Sequence, residues 1–494
     1  MRPVLSVDFS NTFGSLPSDF FVKMNPEIMP DLKLIKLNEA LCKDLGLQPD
    51  QLREQDGVNF LGGKNILSNQ KPLAQVYAGH QFGNFVPQLG DGRAILLGEL
   101  IGQDGNRRDL QLKGSGKTPF SRMGDGRSGL GPVLREYIVS EAMSALGIPT
   151  TRALAALFTG ERVVREGPVP GAILVRIAKS HIRIGTFEYF AHRGEIDNIK
   201  TLANYVIDRH YPEIRDKQDK YVQLLERVIE KQAFLIAEWM RVGFIHGVMN
   251  TDNMTLSGET IDFGPCAFMD HFNIDQSYSS IDAQGRYRFS NQPHIANWNL
   301  SRLAETLLPL IDENQNNAIK QAEKSLDAFV PLFTAHWTKV MGEKLGIKDP
   351  IDSDKLLIEN LLELMQTGHS DYTLTFRKFS KILTSNDNKD WLNLFHHPED
   401  PNLLIWLKQW KKRLKSIPIT KEQIAKNLDS TNPYFIPRNH IIELCISEAI
   451  RGDLSRFDKL AQAIKTPYTE HPEFNDLRKP PEDHEIVRQT FCGT

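Results

Sequence analysis

Residues 246–264 read HGVMNTDNMTLSGETIDFG. Two oxygen donors stand out in this stretch, Asn253 and Asp262. Between them SGE is a turn signal, and the flanking NMTL and TIDF read as the arms of a short hairpin. Such a hairpin brings the two oxygens together. Mg²⁺ takes few protein oxygens and completes its shell with substrate phosphates, so a pair of this kind suits it. The competing reading is ordinary turn chemistry, with Asn253 in an Asx turn and Asp262 as a cap. His246 and Asn250 read as residues that order the turn.

The chain around this stretch has 494 residues, which at roughly 100–200 per domain suggests two to four domains or lobes. Its net charge is −3, which excludes a global basic field for nucleic acid. Four cysteines, Cys42, Cys266, Cys445 and Cys492, are too few for a disulfide scaffold and lack zinc spacing. The opening residues MRPVLSVDFSNTFGSLP show no basic region followed by an apolar one, and no apolar run nears the ~18 residues of a membrane span. The expectation is a cytoplasmic protein that binds neither membrane nor nucleic acid and acts as a monomer.

Upstream, RAILLGELIG (93–102) and RRDLQLKG (107–114) flank QDGN and read as two strands joined by a turn. Residues 113–132, KGSGKTPFSRMGDGRSGLGP, hold six glycines and read as a loop. A helix follows from residue 133, with Leu134, Ile138, Ala142 and Leu146 on one face and Gly147 and Pro149 as its stop. AILVRIA (172–178) is a strand with Arg176 inside it, either turned to solvent or, if buried, in need of a partner. Residues 31–47 predict one helix closed by Gly46, and another runs from Tyr221 to Gly243 with Leu225, Val228 and Trp239 on its apolar stripe. After residue 298 helices dominate, one continuous helical stretch covering 317–345. The basic run KQWKKRLK (408–415) reads as a solvated helix face, and Cys42 and Cys445 as packing residues.

Taken in chain order, these features follow the plan of a protein kinase. Gly90 and Gly92, beside Arg93, open a strand where backbone N–H groups can approach phosphates. Lys113 ends the next strand, and Glu136 in the following helix can hold it by an ion pair. His246, Asn253 and D-F-G then match the kinase frame H-R-D-L-x-x-x-N followed by D-F-G. The departure is Val248, which stands where a kinase has its catalytic aspartate. GSGKT (114–118) is not a P-loop, because the residue five before Gly116 is Gln111 rather than glycine. The expected fold class is α+β, a kinase-like two-lobed fold. Residues 1–70 form an N-terminal extension, 71–178 the strand-rich lobe, 179–300 the lobe with the catalytic loop, and 301–494 a helical region. Three activities stay open on this reading: nucleotidyl transfer, phosphoryl transfer with Asp252 as a replacement base, and nucleotide binding by an inactive scaffold.

Residues 77–99, 113–136 and 246–266, together with the C-terminal FCGT, resemble the selenoprotein O family. In many eukaryotic members the third residue from the end is selenocysteine; here it is Cys492. The resemblance implies a kinase-like fold without the usual catalytic aspartate. It implies transfer of AMP from ATP to Ser, Thr or Tyr hydroxyls of protein substrates, bacterial members also using UTP and Mn²⁺. Nucleotide contacts then fall on Gly90, Gly92, Arg93, Lys113, Asp125, Gly126, Arg176, Arg183 and Asp262. Asn253 and Asp262 are the implied ligands of Mg²⁺ or Mn²⁺, Asp252 the implied base, and Cys266 and Cys492 an implied redox disulfide. Moving AMP requires attack at the α-phosphorus with pyrophosphate leaving. The nucleotide is therefore reversed relative to a kinase, its triphosphate set among Lys113, Arg176 and Arg183, whose charges match phosphate oxygens.

Overall fold

The computed structural model describes residues 7–165, 167–385 and 387–491. Strands crowd into residues 21–178, and helices dominate from residue 184 onward. The result is a mixed α/β architecture with one large sheet and a helical C-terminal region. The strands are β1 (Phe21–Lys23), β2 (Lys33–Leu37), β3 (Leu73–Gln75), β4 (Gly79–Gln81) and β5 (Asn84–Val86). Then come β6 (Ala94–Ile101), β7 (Arg107–Lys113), β8 (Ser128–Gly129), β9 (Arg152–Val164) and β10 (Pro168–Ala178). The eight-stranded sheet runs β1-β3-β6-β7-β10-β9-β2, with β8 added to β10. β4 and β5 form a separate hairpin over residues 79–86.

Side chains alternate across this sheet and divide the core in two. Ile95, Leu97, Leu110, Leu112, Ile173, Val175 and Ile177 pack with Leu41, Leu52 and Leu61 of the N-terminal segment. Leu96 and Leu174 face the other way, onto Leu134, Ile138 and Ala142 of the helix Leu130–Ala145. Arg176, two residues after Leu174, shares that second face, where Gln111 is its cross-strand neighbour. It is 1% exposed, so the reading of a solvent-facing arginine is excluded.

Three local expectations change. Residues 31–47 are not one helix: Lys33–Leu37 is β2, paired antiparallel with β9, and only Glu39–Asp44 is helical. Pairing with a buried strand overrides helix propensity here, and the Asn38 side chain accepts from Leu41 N (3.2 Å) to start the short helix. Residues 254–262 form no ladder of their own. Thr255 bridges Arg183, and Thr260 bridges Thr150. The turn between them is held by Thr255 Oγ1, which accepts from Glu259 N (3.0 Å) and donates to Glu259 O (2.7 Å). The stretch over 317–345 is two helices, Gln315–Asp327 and Phe329–Lys344.

The C-terminal helices enclose a third core around Trp391, Trp406 and Trp410. The basic run lies on the helix Pro401–Leu414 and is solvated on one side only. Lys408 and Lys412 are exposed, while Trp410 and Leu414 are buried and Arg413 pairs with Asp354 (2.8 Å). Cys42 and Cys445 are buried as expected. Among the described residues, no helix is long and apolar enough to cross a membrane.

Candidate functional site

A cleft of about 700 Å³ opens between the sheet and the loop of residues 246–264. Its central carboxylate is Asp262, whose backbone has φ 61°, an uncommon value outside glycine. Oδ1 accepts from Lys113 Nζ (2.8 Å) and Arg176 Nη1 (2.7 Å), and Oδ2 accepts from Arg183 Nη1 (2.7 Å). Glu136 is the second anchor, taking Lys113 at 2.7 Å and Arg176 at 3.2 Å. Each cation comes from a different element. Lys113 ends β7, Arg176 lies in β10, and Arg183 precedes the helix Ile184–His192, its backbone bridged to Thr255.

The same network sets the electrostatics. Burial would raise the pKa of Asp262, but Lys113, Arg176 and Arg183 together hold it well below the usual carboxylate range. Arg183 also donates to Asp252 O (2.8 Å) and lies over the Tyr77 ring at 4.6 Å. Asp252 differs from Asp262. Burial pushes its pKa up to about 7, against the pull of Arg183. A carboxyl group poised there can take a proton near neutral pH. The carboxylate is packed so closely that a Cβ at Gly79 would lie 2.6 Å from its Oδ1.

Asn253 follows on the turn Thr251–Asn253 and donates its Nδ2 to Val248 O (2.9 Å), which leaves Oδ1 as an acceptor. Val248 therefore contributes a backbone oxygen to this turn and, being valine, no carboxylate. His246 stacks on Trp239, with ring centroids 5.3 Å apart, and bonds Ile261 O at 2.8 Å, fixing the backbone just before Asp262. Asn250 accepts from Tyr287 OH (2.7 Å) and Phe82 N (3.1 Å). Both residues order the loop, as the sequence suggests.

The glycine-rich segments form the opposite wall. Gly90, Gly92, Arg93, Asp125 and Gly126 all reach the cleft. Gly90 has φ +86°, and a Cβ there would lie 2.5 Å from the Phe120 ring. At Gly92 a Cβ would lie 2.9 Å from Phe120 O. Their lack of side chains thus lets the loop of residues 118–121 settle on this turn. Asp125 is tied to Arg165 (2.8 Å), and Arg93 Nη1 is buried without a hydrogen-bond partner in the protein.

All sequence-predicted nucleotide and metal residues therefore meet in one cleft, and Glu136 with them. Cys266 is buried outside its lining, and its carbonyl accepts from Arg135 Nη1 (3.3 Å). Cys492 lies outside the described residues, so the Cys266–Cys492 pair falls beyond them. Sequence reasoning missed Tyr77, Asp91, Gln111 and Arg165. Asp91, between Gly90 and Gly92, accepts from Gln75 N (3.1 Å) and Gln111 Nε2 (3.2 Å), and burial pushes its pKa up to about 6. Gln111 in turn accepts from Arg176 Nη2. Its signal was present in the sequence: it sits two before Lys113 on one strand, hence on the same face. Arg165 carried no such signal.

Among the described residues, no group of three or more His, Cys, Asp or Glu is arranged to hold a metal. The Asn253 amide oxygen and the Asp262 carboxylate remain a hard oxygen pair, the donor type that suits Mg²⁺ or Mn²⁺ when phosphates supply the other ligands.

A family model described as Protein adenylyltransferase SelO matches residues 3–465. A protein nucleotidyltransferase YdiU of Rhizobium rhizogenes is 52% identical over 497 residues, covering 100% of this chain and 98% of the relative. One from Rhizobium etli (strain ATCC 51251) is 51% identical over 495 residues, covering 100% and 98%. One from Bradyrhizobium sp. (strain BTAi1) is 51% identical over 488 residues, covering 98% and 99%. The class these matches define is that of the protein nucleotidyltransferases. Within it, the chain belongs to the SelO family.

Proposed function

We propose that this chain transfers AMP, or UMP, from a nucleoside triphosphate to a Ser, Thr or Tyr hydroxyl of a protein. We further propose that residues 71–178 and 179–300 act as the two lobes of a kinase-like fold, with Mg²⁺ or Mn²⁺ bound between them. The observation that carries the reading is the convergence of Lys113, Arg176 and Arg183 on one point of the cleft, with Asp252 beside it. Three cations from three elements suit the β- and γ-phosphates better than a single kinase lysine does.

In this reading the triphosphate takes Lys113, Arg176 and Arg183 from Asp262, while Glu136 and Gln111 keep the first two aligned. Asn253 and Asp262 would hold the divalent cation, which neutralises phosphate charge when bound. Asp252 accepts the proton of the acceptor hydroxyl. That oxygen bonds the α-phosphorus, the bond from the α-phosphorus to the β-bridging oxygen breaks, and the electron pair leaves with pyrophosphate. The three cations meet the negative charge that grows there.

The test follows label into protein from α-labelled and γ-labelled ATP and UTP. Transfer from the α position alone supports the proposal. Transfer from the γ position alone replaces it with a kinase, and nucleotide binding without transfer replaces it with a binding scaffold.

A further inference from the structure

The turn that carries Asp252 and Asn253 begins at Thr251, and Thr251 is held from behind. Its Oγ1 donates to Glu188 Oε2 (2.5 Å) and accepts from His80 N (2.7 Å). The other oxygen of Glu188 bonds His80 Nδ1 at 2.5 Å. Glu188 belongs to the helix Ile184–His192 and His80 to β4, so one carboxylate fastens three separate elements together. Close backbone packing reinforces the arrangement. A Cβ at Gly185 would lie 2.1 Å from Ala78 O and 3.4 Å from Asp252 Cα.

We infer that Glu188 is a positioning residue for the transfer reaction, acting through Thr251 to set the direction of Asp252 and Asn253. This inference rests on the reading of Asp252 as base and Asn253 as metal ligand. A carboxylate that is 4% exposed needs its bonds satisfied, and both of its oxygens are used on this one turn and hairpin. Among the described residues, the cleft lining includes none of Glu188, Thr251 and His80. The relay therefore acts on geometry, not on nucleotide contact. Its strength lies in direction: a displacement of about 1 Å in a reacting group can cost roughly 10²-fold in rate.

Thr251→Val keeps the shape of the side chain and removes the hydroxyl, whereas Thr251→Ser keeps the hydroxyl. Turnover is measured with α-labelled ATP and a protein acceptor, ATP affinity by calorimetry, and folding by thermal melting. The expected result is a fall in kcat of roughly ten- to a hundredfold for Thr251→Val. ATP affinity should stay within about twofold of wild type, and Thr251→Ser should recover most of the turnover. Glu188→Gln, which keeps the shape and loses the charge, should fall between the two. Undiminished turnover in Thr251→Val overturns the role. So does a parallel loss of ATP affinity, or a Ser variant as poor as the Val variant, since either marks a merely structural bond. A wild type that transfers no α-label overturns the nucleotidyl-transfer reading and this role with it, whereas wild-type transfer with an unaffected Val variant overturns the role alone.

Discussion

Strand β7 carries two buried charge networks along one face, and they are built differently. Asp109, Gln111 and Lys113 alternate along it and so point the same way. At the Asp109 end the network is closed. Asp109 accepts from His181 N (3.0 Å) and bonds His181 Nδ1 (2.9 Å) and Arg209 (2.5 Å), with a side chain 2% exposed. At the Lys113 end it is open, and Asp262 is 19% exposed at the wall of a cleft. There Lys113, Arg176 and Arg183 share the carboxylates of Asp262 and Glu136. A matched, sealed pair can only hold the fold together. A group of cations that shares its carboxylates beside a cavity keeps charge ready for an anion.

Substitutions at the two ends should therefore fail in different ways. Asp262→Ala should have the largest effect and abolish transfer of α-label, since it removes the proposed metal oxygen and the point on which the cations converge. The folded state should survive, because Glu136 keeps Lys113 and Arg176 paired and Arg183 keeps its bond to Asp252 O. A variant that unfolds before it loses activity would make the two ends alike and break the distinction. Asp252→Ala should lower the rate by roughly 10²–10⁴-fold, the usual reach of general-base catalysis, with a milder loss of ATP binding. Equal turnover in that variant would remove Asp252 from its proposed role.

Asp109→Ala should do the reverse. Arg209 would keep Glu99 at 3.7 Å but lose its 2.5 Å bond to Asp109, which should cost up to about 3–5 kcal/mol of stability, seen as a lower denaturation midpoint. Activity per folded molecule should remain near that of wild type. A specific loss of turnover at full folding would join the two networks into one functional unit.

The open end was more legible in the sequence than the closed one. Lys113, Glu136, Asn253 and Asp262 stand at spacings that chemistry makes informative, because phosphate and metal binding need particular residue types in a particular order. Arg176 could not be placed, since strand alternation names two faces without saying which one the helix Leu130–Ala145 covers. β2 was hidden because KLIKL suits a strand only once β9 lies beside it. The arms of residues 254–262 pair with Arg183 and Thr150, partners far away in the chain that no local pattern reveals. Asp109, His181 and Arg209 gave no signal, because a sealed ion pair is defined by contacts between distant residues.

The smallest expected effect sharpens the comparison through pH. Burial lowers the pKa of His181 from its ordinary 6.5 to about 4, so the folded protein keeps this ring neutral where the unfolded chain would protonate it. Its contribution is fully present above about pH 6.5 and is lost as the pH falls toward 4, a change of up to roughly 3 kcal/mol. Burial would raise Asp109, but Arg209 and His181 bring it down to about 2. Its contribution therefore persists above the ordinary carboxylate range and is lost only as the pH falls toward 2. Between pH 7 and pH 4 His181 adds its share to the slope of the denaturation midpoint, together with His210 and His246, which burial also lowers, and against Asp91 and Asp252, which burial raises; His181→Gln should remove that share. If the variant keeps the wild-type slope, protons enter elsewhere, and the Asp109 end is less sealed than its geometry indicates.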